Sequence, residues 1–407
     1  MSAADVVLEG LDTASEWQEE LYVQLHRHPE LPMQETETAA EITRRLESFD
    51  YDVQQIGGGV VGVLRNGPGP TVLFRADIDA LPVQENTGLP YASTRTMTDR
   101  EGVSTPVMHA CGHDMHITAG LGAAALLARS RDAWSGTYVA LFQPGEETAE
   151  GARAMVADGL VEKVGPIDVA LGQHVLAVPA AGEVGTTAGP VLSAAASLKV
   201  VLTGKGSHGS MPHLGVDPVL LASAVVMRLQ GIVSRELAPD AFGVVTVGSV
   251  QAGAKANVIP DSATLRINIR AYDEEVKATL LAAIERIVRA ECDASGAPVA
   301  PVIERYDEYP LTVNDADVND RVTRAFVDRF GPDRVKHLAR IPASEDFSLI
   351  PDAFGVPYAY WGFGGFTPDQ KALPNHNPGF APALQPTLRT GTEAAVTAVL
   401  AYLSRES

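Results

Sequence analysis

At about residue 190 the alternation of strand-like and helical segments changes, and this change limits the possible folds more than any other feature of the chain. Before it, two helical patterns at 15–27 and 35–46 are separated by Pro29 and Pro32. TVLFRADID at 71–79 and GTYVALFQ at 136–143 then read as buried strands flanking a helix at 119–129, and IDVALGQHV at 167–175 reads as a further strand. That β-α-β alternation predicts a mostly parallel central sheet flanked by helices. After the Gly- and Pro-rich AAGEVGTTAGP at 180–190 the order becomes a strand at 196–203, a helix at 216–232, strands at 243–251 and 261–271, a helix at 274–292 and a strand at 299–305. This β-α-β-β-α-β order is the split βαβ, or ferredoxin-like, arrangement. From Asp315 helices and strands alternate again, with SEDFSLIP at 344–351 and a Gly-rich run at 361–380 before a last helix at 390–404. The expected fold is therefore α/β, with one domain formed by 1–190 and 307–407 and a second domain, 191–306, inserted into it.

A length of 407 residues is ample for two cores. Fifty-one acidic residues against thirty-one basic ones give a net charge of -20, which disfavours nucleic acid and anionic membrane surfaces as partners. The acidic N-terminal segment has neither the basic nor the apolar region of a secretory signal, and apolar stretches such as 119–128 are too short to span a bilayer. A cytoplasmic protein is expected. Two cysteines provide no disulfide framework.

One of those cysteines lies in MHACGHDMH, residues 108–116. Thiolate and imidazole are good ligands for zinc and its neighbours, so Cys111 and His113, placed in a loop after a strand-like segment, form a candidate ligand pair. The plainer alternative is a cysteine buried as a small apolar residue. Glu146 and Glu147 follow the strand at 136–143. Adjacent glutamates are usually solvated, but strand ends of open α/β sheets are where ligands bind, and paired carboxylates can divide metal ligation from proton transfer. His174 ends the next strand and His376 lies in PNHNP. Together Cys111, His113, Glu147, His174 and His376 are a mixed S/N/O set large enough for two metals about 3.5–4 Å apart with a shared ligand.

HRHPEL at 26–31, FRADIDALP at 74–82, HACGHDMH at 109–116, PGEETAEGA at 144–152, SHGSMPH at 207–213, GAKANVIPD at 253–261 and SEDFS at 344–348 together resemble M20-type metallopeptidases. The resemblance runs over essentially the whole chain. It is strongest to the amidohydrolase branch of aminoacylases, hippurate hydrolases and auxin-conjugate hydrolases. It implies two divalent metal ions, zinc foremost with manganese, cobalt or nickel as alternatives, held by Cys111, His113, Glu147, His174 and His376, with Cys111 as the bridging thiolate. Glu146 is implied as general base, and Asp77 and Asp79 as residues that orient a ligand histidine. In the inserted domain the resemblance implies a lid and dimerisation role. His208 would act in catalysis, within its own subunit or across a homodimer, and Asn257 and Arg270 would hold substrate.

The implied activity is hydrolysis of N-acyl-L-amino acids to a carboxylic acid and a free amino acid. A dipeptidase or a biosynthetic N-acetyl-amino-acid deacetylase is the alternative on the same scaffold. A thiol hydrolase using Cys111 with His113 or His174 as base, and a non-catalytic metal-binding module, are the alternatives of other classes. His26, His28 and His337 have no supporting constellation in the sequence. His109, His116 and His213 flank motifs and read as structural.

Overall fold

The structure is a computed structural model and describes residues 2–405. It divides into two compact units, the first running to Val191 and adding Val313–Ala339 and the chain from Asp346 on, the second comprising Leu192–Thr312 and Arg340–Glu345. The inserted unit is thus longer than the pattern change suggests. Its last strand, Val302–Tyr309, continues beyond residue 305, and Ser193 ties down the 340–345 segment by donating its N–H and Oγ to the carbonyl of Ala343 at 2.8 and 3.0 Å.

In the first unit eight strands among the described residues form one sheet, in the order Asp52–Ile56, Gly59–Asn66, Gly136–Gln143, Thr71–Asp77, Val169–Ala180, Tyr358–Phe366, Val184–Thr186 and Val335–His337. Gly136–Gln143, Thr71–Asp77, Val169–Ala180 and Tyr358–Phe366 run parallel. Asp52–Ile56 and Gly59–Asn66 extend this core as an antiparallel pair. Tyr358–Phe366 uses the first residues of the Gly-rich run and is buried along its whole length. A strand covered on both faces shows no polar alternation, and the sequence reading left most of it within the Gly-rich run.

The helix His113–Arg129 is apolar and buried nearly all round. It packs beneath Leu11–Arg27 and Leu384–Leu403, where the Gln18 amide donates to the Thr118 carbonyl at 3.0 Å and the Thr392 hydroxyl at 2.9 Å. Such a helix is held by packing: Leu121, fully buried, would cost roughly 2–5 kcal/mol if cut to alanine.

The second unit is an antiparallel sheet in the order Gly243–Ala252, Ser262–Ala271, Ala194–Thr203, Val302–Tyr309. The helices Pro218–Leu229 and Glu274–Ala294, begun by the side-chain caps of Asp217 and Asp273, bury Leu221, Val225, Ile284 and Val288 against Leu198, Val200, Leu265 and Ile267. Cys292 belongs to this core, and both cysteines are free. Pro218–Arg235 is longer than the apolar stretch at 119–128 and is long and apolar enough to cross a membrane. It is built as two helices, Pro218–Leu229 and Gly231–Arg235, and its inward face is committed to the core.

Candidate metal centre

The expected ligands gather at the carboxyl ends of the parallel strands. Thr71–Asp77 and Gly136–Gln143 pair in register at Asp77 and Gln143, so the chain leaves both strands side by side. The first continues to Asp79, the second to the single 3-10 turn Glu146–Thr148. Cys111 and Gly112 form the turn into His113–Arg129. Gly112 has φ 82°, and a Cβ on it would lie 2.4 Å from Cγ1 of Val175, so the turn requires glycine. His113 is therefore the first residue of a helix rather than part of a loop with Cys111. His174 lies inside Val169–Ala180, since that strand continues past the point where the sequence pattern ends it.

Donor atoms of Cys111, Glu147 and His376 lie within 4.8 Å of one another, as do those of His113, Glu146 and Glu147, so Glu147 joins two clusters. Sγ of Cys111 is 3.4 Å from Nε2 of His174, Nε2 of His376 is 3.3 Å from Oε1 of Glu147, and Nε2 of His113 is 3.8 Å from that same oxygen. Nδ1 of His113 donates to Oδ1 of Asp79 at 3.0 Å, and Nδ1 of His174 donates to the Val175 carbonyl at 2.8 Å, which turns both Nε2 atoms to the centre. Asp79 also accepts the Glu147 N–H at 2.9 Å, so one carboxylate orients two of the expected ligands.

Among the described residues Nε2 of His113 and Oε1 of Glu147 are buried with no hydrogen-bond partner. Each would cost roughly 1–3 kcal/mol if left unsatisfied. A divalent cation satisfies both, and the thiol, imidazole and carboxylate donors around them are those that bind one. The local field agrees. Burial lowers the affinity of His113 for its proton, but Asp77, Asp79 and Glu147 outweigh it and raise its pKa to about 10. Burial, followed by the charges of Glu147, Glu146 and Asp77, pushes the Cys111 thiol well up. The carboxylates that hold the Cys111 thiol protonated also favour a cation beside it, and a bound cation would deprotonate a coordinating thiol, whereas those same charges oppose its activation as a nucleophile in the contact with His174.

Residues 73–401 match peptidase family M20/M25/M40. The chain belongs to this family. It is 34% identical over 361 residues to the N-acetylcysteine deacetylase of Bacillus subtilis, covering 86% of this chain and 91% of the relative. It is 35% identical over 360 residues to the hippurate hydrolase of Campylobacter jejuni, covering 88% and 90%. A solved Bacillus subtilis dinuclear metal-binding peptidase from the M20 family superposes with a TM-score of 0.76 at 27% identity, covering 96% of this chain and 99% of that one. Family and relatives make the chain an amidohydrolase of the M20 type.

Several groups in this M20 chain differ from the sequence reading. Asp77 accepts Nδ1–H of His116, not of an expected ligand, and its other oxygen accepts Nη1 of Arg75 at 2.8 Å. Nε2 of His116 accepts the Val175 N–H at 2.8 Å, so this ring is fully occupied and structural, as its position beside the motif suggests. Arg75 is completely buried, reaches Oε1 of Gln143 at 2.9 Å and Oδ1 of Asp346 at 3.4 Å, and gives Asp346 of the SEDFS motif a structural purpose. Asn375, unassigned from sequence, donates to the carbonyls of Cys111 at 3.1 Å and Val175 at 3.2 Å and so fixes the loop of His376; PNHNP was the available signal. His26 is not isolated: its Nδ1 is 2.7 Å from Oδ2 of Asp114 and its Nε2 3.1 Å from Oε1 of Glu85, all buried.

In the second unit His208 and Asn257 are exposed on neighbouring segments, with Ser207–His208 paired to Val258–Ile259 and the Gly209 N–H donated to the Asn257 carbonyl at 2.8 Å. Arg270 is half-buried, and its Nη1 donates to the Pro342 carbonyl at 2.9 Å and the Ser344 hydroxyl at 3.0 Å.

Proposed function

We propose that the chain hydrolyses the amide bond of N-acyl-L-amino acids at a two-metal centre held by Cys111, His113, Glu147, His174 and His376. The observation that carries this reading is the pair of buried ligand atoms, Nε2 of His113 and Oε1 of Glu147, that make no hydrogen bond, with the other expected ligand atoms gathered around them. Held by these residues, divalent cations would supply Lewis acidity for the amide carbonyl and for a water at neutral pH. Zinc suits the thiol–imidazole–carboxylate set best, with manganese, cobalt or nickel as the alternatives.

Glu146 is the proton carrier in this reading. It is 5% exposed and adjoins the ligand Glu147, and its donor atom is within 4.8 Å of those of His113 and Glu147. Its carboxylate takes the proton of the attacking water and returns it to the departing amine nitrogen. Asp79 keeps His113 and Glu147 in orientation throughout. The second unit has the task of recognition, Arg270 and Asn257 receiving the substrate's α-carboxylate, while His208, of the same subunit or of the partner in a homodimer, donates to the developing oxyanion. A homodimer through the second unit belongs to the same proposal, supported by the exposed apolar side chains of Leu220, Met227 and Val250 on that unit. A monomer by sedimentation at micromolar concentration would remove it.

The similarity to the N-acetylcysteine deacetylase favours a narrower second reading, an N-acetyl-amino-acid deacetylase. A panel of N-acyl amino acids differing in acyl length separates the two. For the reaction itself, dialysis against a chelator is expected to abolish amide hydrolysis and divalent ion to restore it. Full activity in metal-free protein would overturn the proposal.

A further inference from the structure

We propose that the segment from His26 to Glu35 is a strap that positions the metal-ligand loops, with Glu35 as the positioning residue for the turn that carries Glu146 and Glu147. The inference rests on the metal-centre reading above and concerns residues to which that reading gives no part.

Glu35 stands at the N-cap of the helix Thr36–Ser48, yet its side chain makes no capping hydrogen bond there. Glu30 caps the helix instead, accepting the Glu37 N–H at 3.1 Å and the Thr38 N–H at 2.8 Å. Released from that duty, the Glu35 carboxyl turns inward. It is 4% exposed, and Oε1 accepts the Gly145 N–H at 2.8 Å and the Met33 N–H at 2.9 Å. Gly145 immediately precedes Glu146. Burying a carboxyl costs free energy unless something is gained by it, and a serine or aspartate would cap this helix without that cost. What Glu35 gains is the hold on Gly145.

Met33 strengthens the same contact. Its φ of 60° is in the left-handed region, where an ordinary side chain sits under strain. That turn folds the Met33 N–H onto Glu35 and lays the thioether over Gly145, where a Cβ would meet Sδ at 2.5 Å. Two further ties reach the other ligand loops. The Glu30 carbonyl accepts the N–H of Ala80, next to Asp79, at 2.8 Å, and His26 holds Asp114 of the turn that follows His113. The motif at 26–31 and its continuation thus touch the loop at 79–80, the first turn of the helix that begins at His113, and Gly145 before the turn of Glu146 and Glu147.

Burial, followed by the nearby charge of Asp79, raises Glu35 to about 8, and glutamine keeps both its length and the Oε1 acceptor that the Gly145 and Met33 N–H groups use. That gives the test a conservative rescue. The variants are Glu35→Ala, Glu35→Asp, whose shorter arm falls short of Gly145, and Glu35→Gln, each reconstituted with zinc. Release of metal to a chromogenic chelator is followed, with kcat, KM and the Tm of the chelated proteins alongside. Glu35→Ala and Glu35→Asp are expected to release metal, and to lose kcat, by roughly 10–100-fold, the usual effect of disturbing a group behind a ligand. KM should change little, and Glu35→Gln should restore wild-type behaviour. Should Glu35→Ala fold poorly, Glu35→Asp alone decides. If wild-type protein holds metal and Glu35→Asp releases it at the wild-type rate, or Glu35→Gln fails to rescue, the strap is wrong and the metal centre stands. If wild-type protein takes up no metal, both are overturned.

Discussion

The two units hold their expected functional residues in opposite ways. In the first, the groups at the strand ends are held by other side chains: Asp79 fixes His113 and Glu147, Asn375 fixes the loop of the exposed His376, and Arg75 ties Asp77 to Gln143. In the second, His208 and Asn257 are exposed. Among the described residues His208 has its ring bonded only within its own loop, Nδ1 lying 2.7 Å from the Ser210 hydroxyl. The difference separates two kinds of work. In the proposed mechanism the groups of the first unit are fixed before the substrate arrives, whereas the exposed His208 and Asn257 settle upon it. On the proposed roles, changes in the first unit should act on metal and turnover, changes at Arg270 and Asn257 on substrate choice, and changes at His208 on turnover.

The largest expected effects separate Glu146 from Glu147. Glu146→Gln keeps shape and leaves the ligands in place, so metal content should remain near normal while turnover falls by roughly 10²–10⁴-fold. Glu147→Gln removes an anionic oxygen shared by two donor clusters, and purified protein should contain less than its full complement of metal. Metal analysis and turnover on both variants check the assignment. A Glu146→Gln protein that loses metal, or that keeps near-normal turnover, would reverse the roles.

An intermediate effect belongs to Arg270. A guanidinium paired with an ionised carboxylate gives a charge-assisted hydrogen bond that a neutral amide does not replace, so wild-type kcat/KM for an N-acyl amino acid should exceed that for its C-terminal amide by roughly 10–100-fold. Arg270→Ala should narrow this ratio, mainly through KM. Equal values for the two substrates in wild-type protein would take the carboxylate away from the second unit.

The same contrast explains what was legible in the sequence. Cys111, His113, Glu147, His174 and His376 stood out because ligand chemistry restricts residue type, and their gathering followed from strand ends that the β-α-β alternation exposed. The ferredoxin-like order of the second unit was readable because Ser262–Ala271 alternates buried and more exposed residues along its length. What was not legible depended on partners distant in sequence. A single histidine at position 26 carries no sign that Asp114 lies 88 residues away in the chain and 2.7 Å away in space. Nothing near Asp77 chooses His116 over His113 as its partner. The strand Tyr358–Phe366 was obscured by glycines that ordinarily mark loops, and residues 340–345 joined the second unit through Ser193, a contact with no local trace.

The smallest effect on rate is expected at His26, which stabilises the first unit at a distance from the reacting atoms. Burial by itself lowers its pKa, but the hydrogen bonds to Asp114 and Glu85, with their charges, outweigh this and raise it from 6.5 to about 9. A group whose folded pKa lies above its unfolded value contributes stability that is complete below the unfolded value and disappears as pH rises through the folded one. His26 should therefore stabilise fully below about pH 6.5 and cease to do so by about pH 9, a difference on the order of 3 kcal/mol. His26→Gln lacks this titration. Comparing the Tm of chelated wild-type and His26→Gln proteins across that range cancels the groups that titrate in both. The wild type should be the more stable by several degrees at the acid end, with the gap closing toward the alkaline end. A gap that stays constant with pH would mean that His26 is neutral between its two carboxylates, and the buried cluster would then be held by hydrogen bonds without a cation at its centre.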